Sequence, residues 1–377
     1  MKKREMTAVL TVIVMGLSLA ACGQGQNQPS ADGNAGVNEA SGNEDTGADA
    51  NEEAGASADG YDLSDCDPVK VVIPTAVSGS ALESGYLEQW MDDVKKRSEG
   101  KITFDYTNGG ALGSFEELLE GTDSGVYDMS LITLSYYETY VPEAAILSFP
   151  FLIQDYNDAR DVLNGQVGDW LKEKVLENTN TGWMGYLMCY FRWMNTSTKI
   201  STLEDCQNVL IRVPTTQITI DTFDKMGFST VPLPFSDIYT AMSTGVVNGV
   251  ETSGESIYNY GFCDYAKYVC KSNHQPIIES VIYNQDFWNG LPEVYRQIMT
   301  DAMKDMLAEE WTASESKEES FSDLLASEKE VTVTEFSEEA MKEIQEVFTD
   351  YWYDKAKAIS EETSDMLTWE IDVVNNN

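Results

Sequence analysis

Leu210-Ile211-Arg212-Val213-Pro214 is a short apolar run that carries one arginine and ends at a proline. The run predicts a buried strand, with Arg212 at its carboxyl end and Pro214 opening a helix. In open α/β sheets, ligands bind just outside the carboxyl ends of the strands. An arginine at such a point is placed to hold an anion. Its planar fork offers a carboxylate two parallel hydrogen bonds, which lysine cannot do. Residues 215–226 then read as a helix, with Ile218, Phe223 and Met226 on one face and Gly227 as its stop. Thr230-Val231-Pro232-Leu233-Pro234 must be extended, because two prolines forbid helix. Phe235 follows. Ser236 is a suitable N-cap for a second helix over 237–244, which stops at Gly245.

Upstream, residues 69–73 form an apolar run, 85–98 carry helical periodicity through Leu87, Trp90 and Val94, and 102–106 form a second run. Strand, helix, strand is the βαβ unit of a parallel sheet. Further helices are predicted over 115–121, 156–163, 167–177 and 203–208, and a strand over 129–132. An apolar strand over 185–194 crosses from a first domain to a second, and 277–284 returns. Residues 291–328 then give one long helical pattern, with Ile298, Met299, Met303, Met306 and Trp311 on its apolar side. A short strand over 330–333 and an aromatic-rich helix over 339–359 follow.

Taken in order, R-V-P at 212–214, P-x-P-F-S-D-I-Y-T-A-M at 232–242 and G-V-V-N-G-V-E at 245–251 resemble the substrate-binding proteins of TRAP transporters. Gly110-Ala111-Leu112-Gly113, Gly125-Val126-Tyr127-Asp128-Met129 and Leu147-Ser148-Phe149-Pro150-Phe151-Leu152 match further landmarks of that family, so the resemblance covers roughly residues 69–353. It implies two α/β domains with a ligand cleft between them, crossing strands and a long domain-spanning helix, as in periplasmic binding proteins. The expected division is 67–189 plus 278–317 for one domain, and 190–277 plus 318–377 for the other.

On the residues alone, Arg212 serves equally as an anion ligand or as a structural ion pair. The resemblance implies the first, since the family places its selectivity arginine at this R-V-P position. Arg192, in Tyr190-Phe191-Arg192-Trp193, matches a segment that often carries a second arginine at the cleft mouth; the bland reading is an arginine stacked between aromatics. The resemblance puts Phe235 against the ligand's flat side, the alternative being a helix-entry contact with the core. Thr252 stands where many members have asparagine, which removes an amide contact. Ser114 and Glu116 lie where the first domain faces the cleft, although Ser114 also reads as a helix cap. Tyr136 and Tyr137 line the cleft or pack.

Composition narrows the class. Of 377 residues, 64 are acidic and 24 basic, for a net charge of −40. Phosphate-rich nucleic acid demands the opposite sign, so no nucleic acid is expected as partner. Any anion site must be a local arginine cluster, workable because charges are screened beyond about 8–10 Å at physiological salt. Residues 1–21 read as a secretory signal, with Lys2, Lys3 and Arg4 before an apolar run over 8–19 that is too short to span a membrane. Leu19-Ala20-Ala21-Cys22 resembles a lipobox, which implies cleavage before Cys22, lipidation of its sulfur and anchoring to the outer face of the cell membrane. Residues 22–66 form an acidic, low-complexity tether.

The remaining cysteines, 66, 189, 206, 263 and 270, show no metal or redox spacing. Cys263 with Cys270 and Cys189 with Cys206 are the pairs open to oxidation in an exported chain. His274, the single histidine, lacks the companions that metal or general-base chemistry needs, so it reads as a packing residue. No phosphate loop, nucleophile elbow or dinucleotide fingerprint appears. No catalytic residue, metal or cofactor is therefore expected. The function expected is capture of a small organic acid and delivery to a TRAP membrane permease. The alternatives are an ABC-type receptor for a neutral sugar, a secreted hydrolase and a signalling lipoprotein.

Overall fold

Alternating buried positions in the first apolar run give β1 (Val69–Pro74), and α1 (Leu82–Arg97) follows with Leu87, Trp90 and Val94 inward. β2 (Ile102–Thr107) returns parallel to β1, completing the expected βαβ unit. The computed structural model describes residues 60–376. α1 starts earlier than its periodicity suggested. Tyr61 and Leu63 are buried against the core, and the Tyr61 hydroxyl donates to Asp301 at 2.8 Å, so packed chain begins ahead of the expected boundary at Asp67.

The first lobe continues with α2 (Phe115–Asp123), β3 (Met129–Thr133), two 3-10 turns, α3 (Tyr156–Leu163), α4 (Gln166–Asn178) and β4 (Thr181–Trp183). β5 (Leu187–Thr196) is buried at all ten residues. The second lobe is built from α5 (Leu203–Cys206), β6 (Leu210–Val213), α6 (Gln217–Met226), β7 (Ser229–Pro232), α7 (Ile238–Ser243), β8 (Gly249–Ser253), α8 (Gly254–Asn259) and β9 (Tyr268–Cys270). β10 (Pro276–Asn284) returns to the first lobe. α9 (Gln285–Gly290), α10 (Glu293–Glu328), β11 (Thr332–Thr334), α11 (Glu338–Ile359) and α12 (Glu361–Asn376) complete the chain.

Two long strands join the lobes. Residues 187–191 of β5 pair with β10, and residues 192–196 pair with β8 and β9. The far half of β10 pairs antiparallel with β3 and β4. β6 runs parallel to both β7 and β8, and Arg212 and Pro214 at its carboxyl end line a cavity together with first-lobe residues. The 36 residues of α10 pack on α1 in the first lobe, β5 at the crossing and α8 in the second. Its buried Ile298, Met299, Met303 and Met306 each gain about 1.5–3 kcal/mol over exposure. The architecture is the expected one.

Three local expectations need correction. α6 begins at Gln217 rather than at Pro214: Leu233 N–H still bonds the Val213 carbonyl, and Thr216 stays extended at φ −78°, ψ 131°. Its end is as read, with Gly227 left-handed at φ 94°. Ser236 caps nothing, because Phe235–Asp237 tightens into a 3-10 turn that leads into α7. α12 falls in a stretch with no sequence expectation. It packs on α3 and α4, and Lys174 meets Glu362 at 2.6 Å. This part of 318–377 therefore sits with the first lobe's helices, not the second's. No helix among the described residues is long and apolar enough to cross a membrane.

Candidate functional site

β6 is four residues long and three of them are fully enclosed, Arg212 among them at 1% exposure. A buried guanidinium needs partners for its donors. Nε–H and Nη2–H both donate to the Leu233 carbonyl, at 2.9 and 2.6 Å, which fixes the plane of the fork. The Pro232-Leu233-Pro234 segment presents that carbonyl because its prolines keep it extended. Nη1 lies 3.7 Å from Glu251 Oε1.

Glu251 is the centre of the charged wall. It sits in β8, fully buried, and its two oxygens each accept from Arg192 Nη1 at 3.1 Å. His274 Nε2 lies 3.3 Å from Oε2. Burial pushes the Glu251 carboxyl up, but Arg192, His274 and Arg212 together outweigh it and hold the group below its ordinary value. Burial lowers the His274 imidazole. Its Nδ1 lies 2.8 Å from the Ser272 hydroxyl, which also donates to the Arg192 carbonyl at 3.3 Å. Two guanidiniums against one carboxylate leave a positive charge in excess at this wall. Burial draws Arg212 down, with Tyr136 and Glu251 pulling it back.

Arg192, Arg212, Phe235 and Thr252 line one cavity of about 460 Å³, mouth included. Tyr136 lines it too and is pushed up to about 12 by burial, so its hydroxyl remains a donor. Phe235 is half-buried. It meets the ring of Phe115 from the first lobe at 6.5 Å and Tyr260 edge-on at 5.1 Å. Phe115 stacks on Tyr136 at 5.3 Å. Aromatic rings from both lobes therefore close around the same space. The first lobe also contributes Glu83 and Glu279 to the lining.

Ser114 and Glu116 are not brought into this cavity. Ser114 caps α2 in a reciprocal box with Glu117, satisfying two helix-end N–H groups. The Glu116 carboxylate instead accepts the Thr215 hydroxyl across the lobes. Glu138 acts alongside it, taking the backbone N–H groups of Gln217 and Ile218 at the start of α6. Tyr137 packs in the core against Trp183, and Tyr239 is exposed.

All five described cysteines are free, so neither of the two pairings that the sequence left open forms. His274 is enclosed beside Phe151 and Phe223, as its packing reading implied. No cluster that could hold a metal ion occurs among the described residues. Cys22 and residues 1–59 lie outside the described residues.

Residues 75–358 match the family described as bacterial extracellular solute-binding protein, family 7 (DctP). The chain belongs to this family. The DctP family comprises solute-binding proteins that serve transport outside the cytoplasm, not enzymes. The chain is similar to a solute-binding protein of Chromohalobacter salexigens, 26% identical over 63% of this chain and 69% of that one. It is also similar to the C4-dicarboxylate-binding periplasmic protein DctP of Rhodobacter capsulatus, 25% identical over 72% of this chain and 81% of the relative. Other relatives match over 58%, 62% and 66% of their own length. Among solved structures, the sugar acid binding protein DctPAm of Advenella mimigardefordensis, in complex with galactonate, superposes with a TM-score of 0.78. It is 24% identical and is covered to 99%, against 82% of this chain.

Glu251 and Glu138 carried no functional expectation. Glu251 had a signal, a carboxylate inside a strand of otherwise uncharged residues, which demands a buried cation. Glu138 had none, because its partners are backbone groups about 80 positions away.

Proposed function

We propose that this member of the DctP family captures a small organic acid between its lobes, with Arg212 and Arg192 taking the carboxylate. The observation that carries this is the pair of enclosed guanidiniums held against a single carboxylate, Glu251, at one wall of the cavity. The relatives' described ligands, a C4-dicarboxylate and galactonate, are acids and support the class. Phe235 and Phe115 flank the ligand, and Thr252 offers a hydroxyl where an amide is lost. Ser114 and Glu116 act on the protein itself rather than on the solute.

Contacts to both lobes exist together only when the cleft is shut. Ligand then favours closure by its differential affinity for that state. We take the lobes as 67–189 plus 278–317 against 190–277, with α12 grouped with the first lobe because it packs on α3 and α4. We further propose that the chain is lipidated at Cys22 and delivers its solute to TRAP permease subunits, on the strength of the sequence 19–22 and the family.

A thermal-shift screen of organic acids identifies the ligand, since binding raises the melting temperature by mass action. Titration calorimetry on R212A then tests the site. A charged hydrogen bond is worth about 1.5–3 kcal/mol, so R212A weakens binding by at least about tenfold. Unchanged affinity in R212A, or a neutral preferred solute, refutes the assignment. Lipidation is tested by mass spectrometry of the protein from its own membrane, with a C22S control.

A further inference from the structure

We infer that the captured acid also carries a positively charged nitrogen, held by Glu83 and Glu279 of the first lobe while the arginines hold its carboxylate. This rests on the reading of Arg212 and Arg192 given above and narrows its ligand class. Glu83, in the first turn of α1, and Glu279, on β10, line the same cavity as the two arginines. They are 9% and 1% exposed, and neither forms an ion pair among the described residues. Each leaves its Oε2 buried without a hydrogen-bond partner. The other Glu279 oxygen accepts the Thr133 hydroxyl at 3.0 Å. The Tyr190 hydroxyl, also in the lining, is buried and unpartnered as well.

An enclosed carboxylate oxygen with no donor is costly, and protein structures rarely keep one without a use. The lining instead separates its charges by lobe. The second lobe and the crossing strand supply guanidiniums; the first supplies carboxyls. A solute with an acid at one end and an ammonium or amidinium at the other satisfies both walls, and only when the lobes are together. A plain dicarboxylate brings no cation to ionise Glu83 or Glu279 and leaves their buried oxygens without a charged partner.

Burial lifts Glu83 to about 7, and lifts Glu279 well above the ordinary carboxylate range, with Glu83 adding to it. Glu255 of α8, Glu310 and Lys317 of α10 and Arg192 of β5 are the charged groups within electrostatic reach of this wall. A cation placed against the two carboxyls ionises one of them, and the proton leaves to the buffer.

The test is titration calorimetry of the protein at pH 7 with two probe sets. Glycine betaine, proline and 4-aminobutyrate carry the nitrogen; succinate, butyrate and galactonate do not. We expect one or more of the first set to bind at least tenfold tighter than any of the second. Binding should release protons, read as a heat that changes between buffers of different ionisation enthalpy. E279Q and E83Q, near-isosteric and checked for folding by circular dichroism, should each weaken that probe at least tenfold and reduce the proton release. If nitrogen-free acids bind as tightly, or both variants keep full affinity, the cationic wall is refuted while the arginine reading stands. If no carboxylate of either set binds, or binding ignores R212A, the arginine reading falls and this inference with it.

Discussion

Arg192 Nη1 sits 3.1 Å from both carboxylate oxygens of Glu251, with the two side chains buried on neighbouring strands. The residues are 59 positions apart, yet the antiparallel pairing of β5 and β8 makes them neighbours. Glu251 also faces Arg212 and His274, so one carboxylate aims two guanidiniums.

Removing that carboxylate should unfold more than the site. E251A leaves two enclosed cations facing each other, and breaking a buried pair costs about 3–5 kcal/mol. We expect a fall in melting temperature on the order of 10 °C, measured by calorimetry, and loss of ligand-induced stabilisation. A variant as stable as the parent would show that the arginines do not depend on Glu251.

Glu138 and Glu116 reach from the first lobe to the start of α6. Their contacts exist only with the lobes together, so they favour the shut state. E138A removes a charge-assisted pair of hydrogen bonds at a helix start, worth about 0.5–2 kcal/mol. Ligand should dissociate several-fold faster, with association little changed. Stopped-flow measurement checks this, and an unaltered off-rate counts against a latch.

Stability should fall as pH rises from 5 to 8.5. Burial holds Glu83 and Glu318 at about 7, and Glu255 and Glu310 at about 8, against an ordinary 4.5. Between those values the unfolded chain has released protons that the folded protein still binds. The stabilisation is complete below pH 4.5 and is lost as pH climbs through 7 to 8. Glu251 works in the other direction, its contribution present above 4.5 and lost as pH drops through its lowered value. Melting temperatures across this range test the sign, and E310Q should flatten the slope. A curve that rises with pH would reverse the assignment.

Cys189, Cys206, Cys263 and Cys270 are buried, and Cys66 is half-buried. Burial lifts Cys206 and Cys270 to about 12, with Cys189 and Cys263 also raised. A thiol reagent at pH 8 should therefore label Cys66 alone in the folded protein, and all five of these in denaturant. Reducing agent should leave the melting temperature unchanged.

Between Leu210 and Gly245 the helix stops at Gly227 and Gly245 and the extended Pro232-Leu233-Pro234 were legible from glycine and proline alone, whereas Pro214 was not, because the chain stays extended past it to Thr216. Arg212 and Arg192 stood out for a similar reason, as cations in apolar strands of a strongly acidic chain. Ser114 was readable as a cap from S-x-x-E spacing alone. The partners of Glu251 and Glu138 were not legible, because they depend on which strands pair and how the lobes meet. α12 escaped because it packs on α11 and on α3 and α4, the last two some 200 residues earlier, and lacks a strong apolar face of its own.

The changeover point in β5 has a mechanical corollary. Beyond Phe191 the strand exchanges β10 for β8 and β9, and β10 slips register at Ile277/Ile278. The Phe191 amide donates to Glu318 of α10 at 2.7 Å, and the Arg192 amide donates to Gln275. No slack connector exists there to swing on; opening has to flex a bonded ribbon braced by a continuous rod. Arg192 stands at that changeover, so on the reading proposed above a solute held by its side chain would load the joint directly.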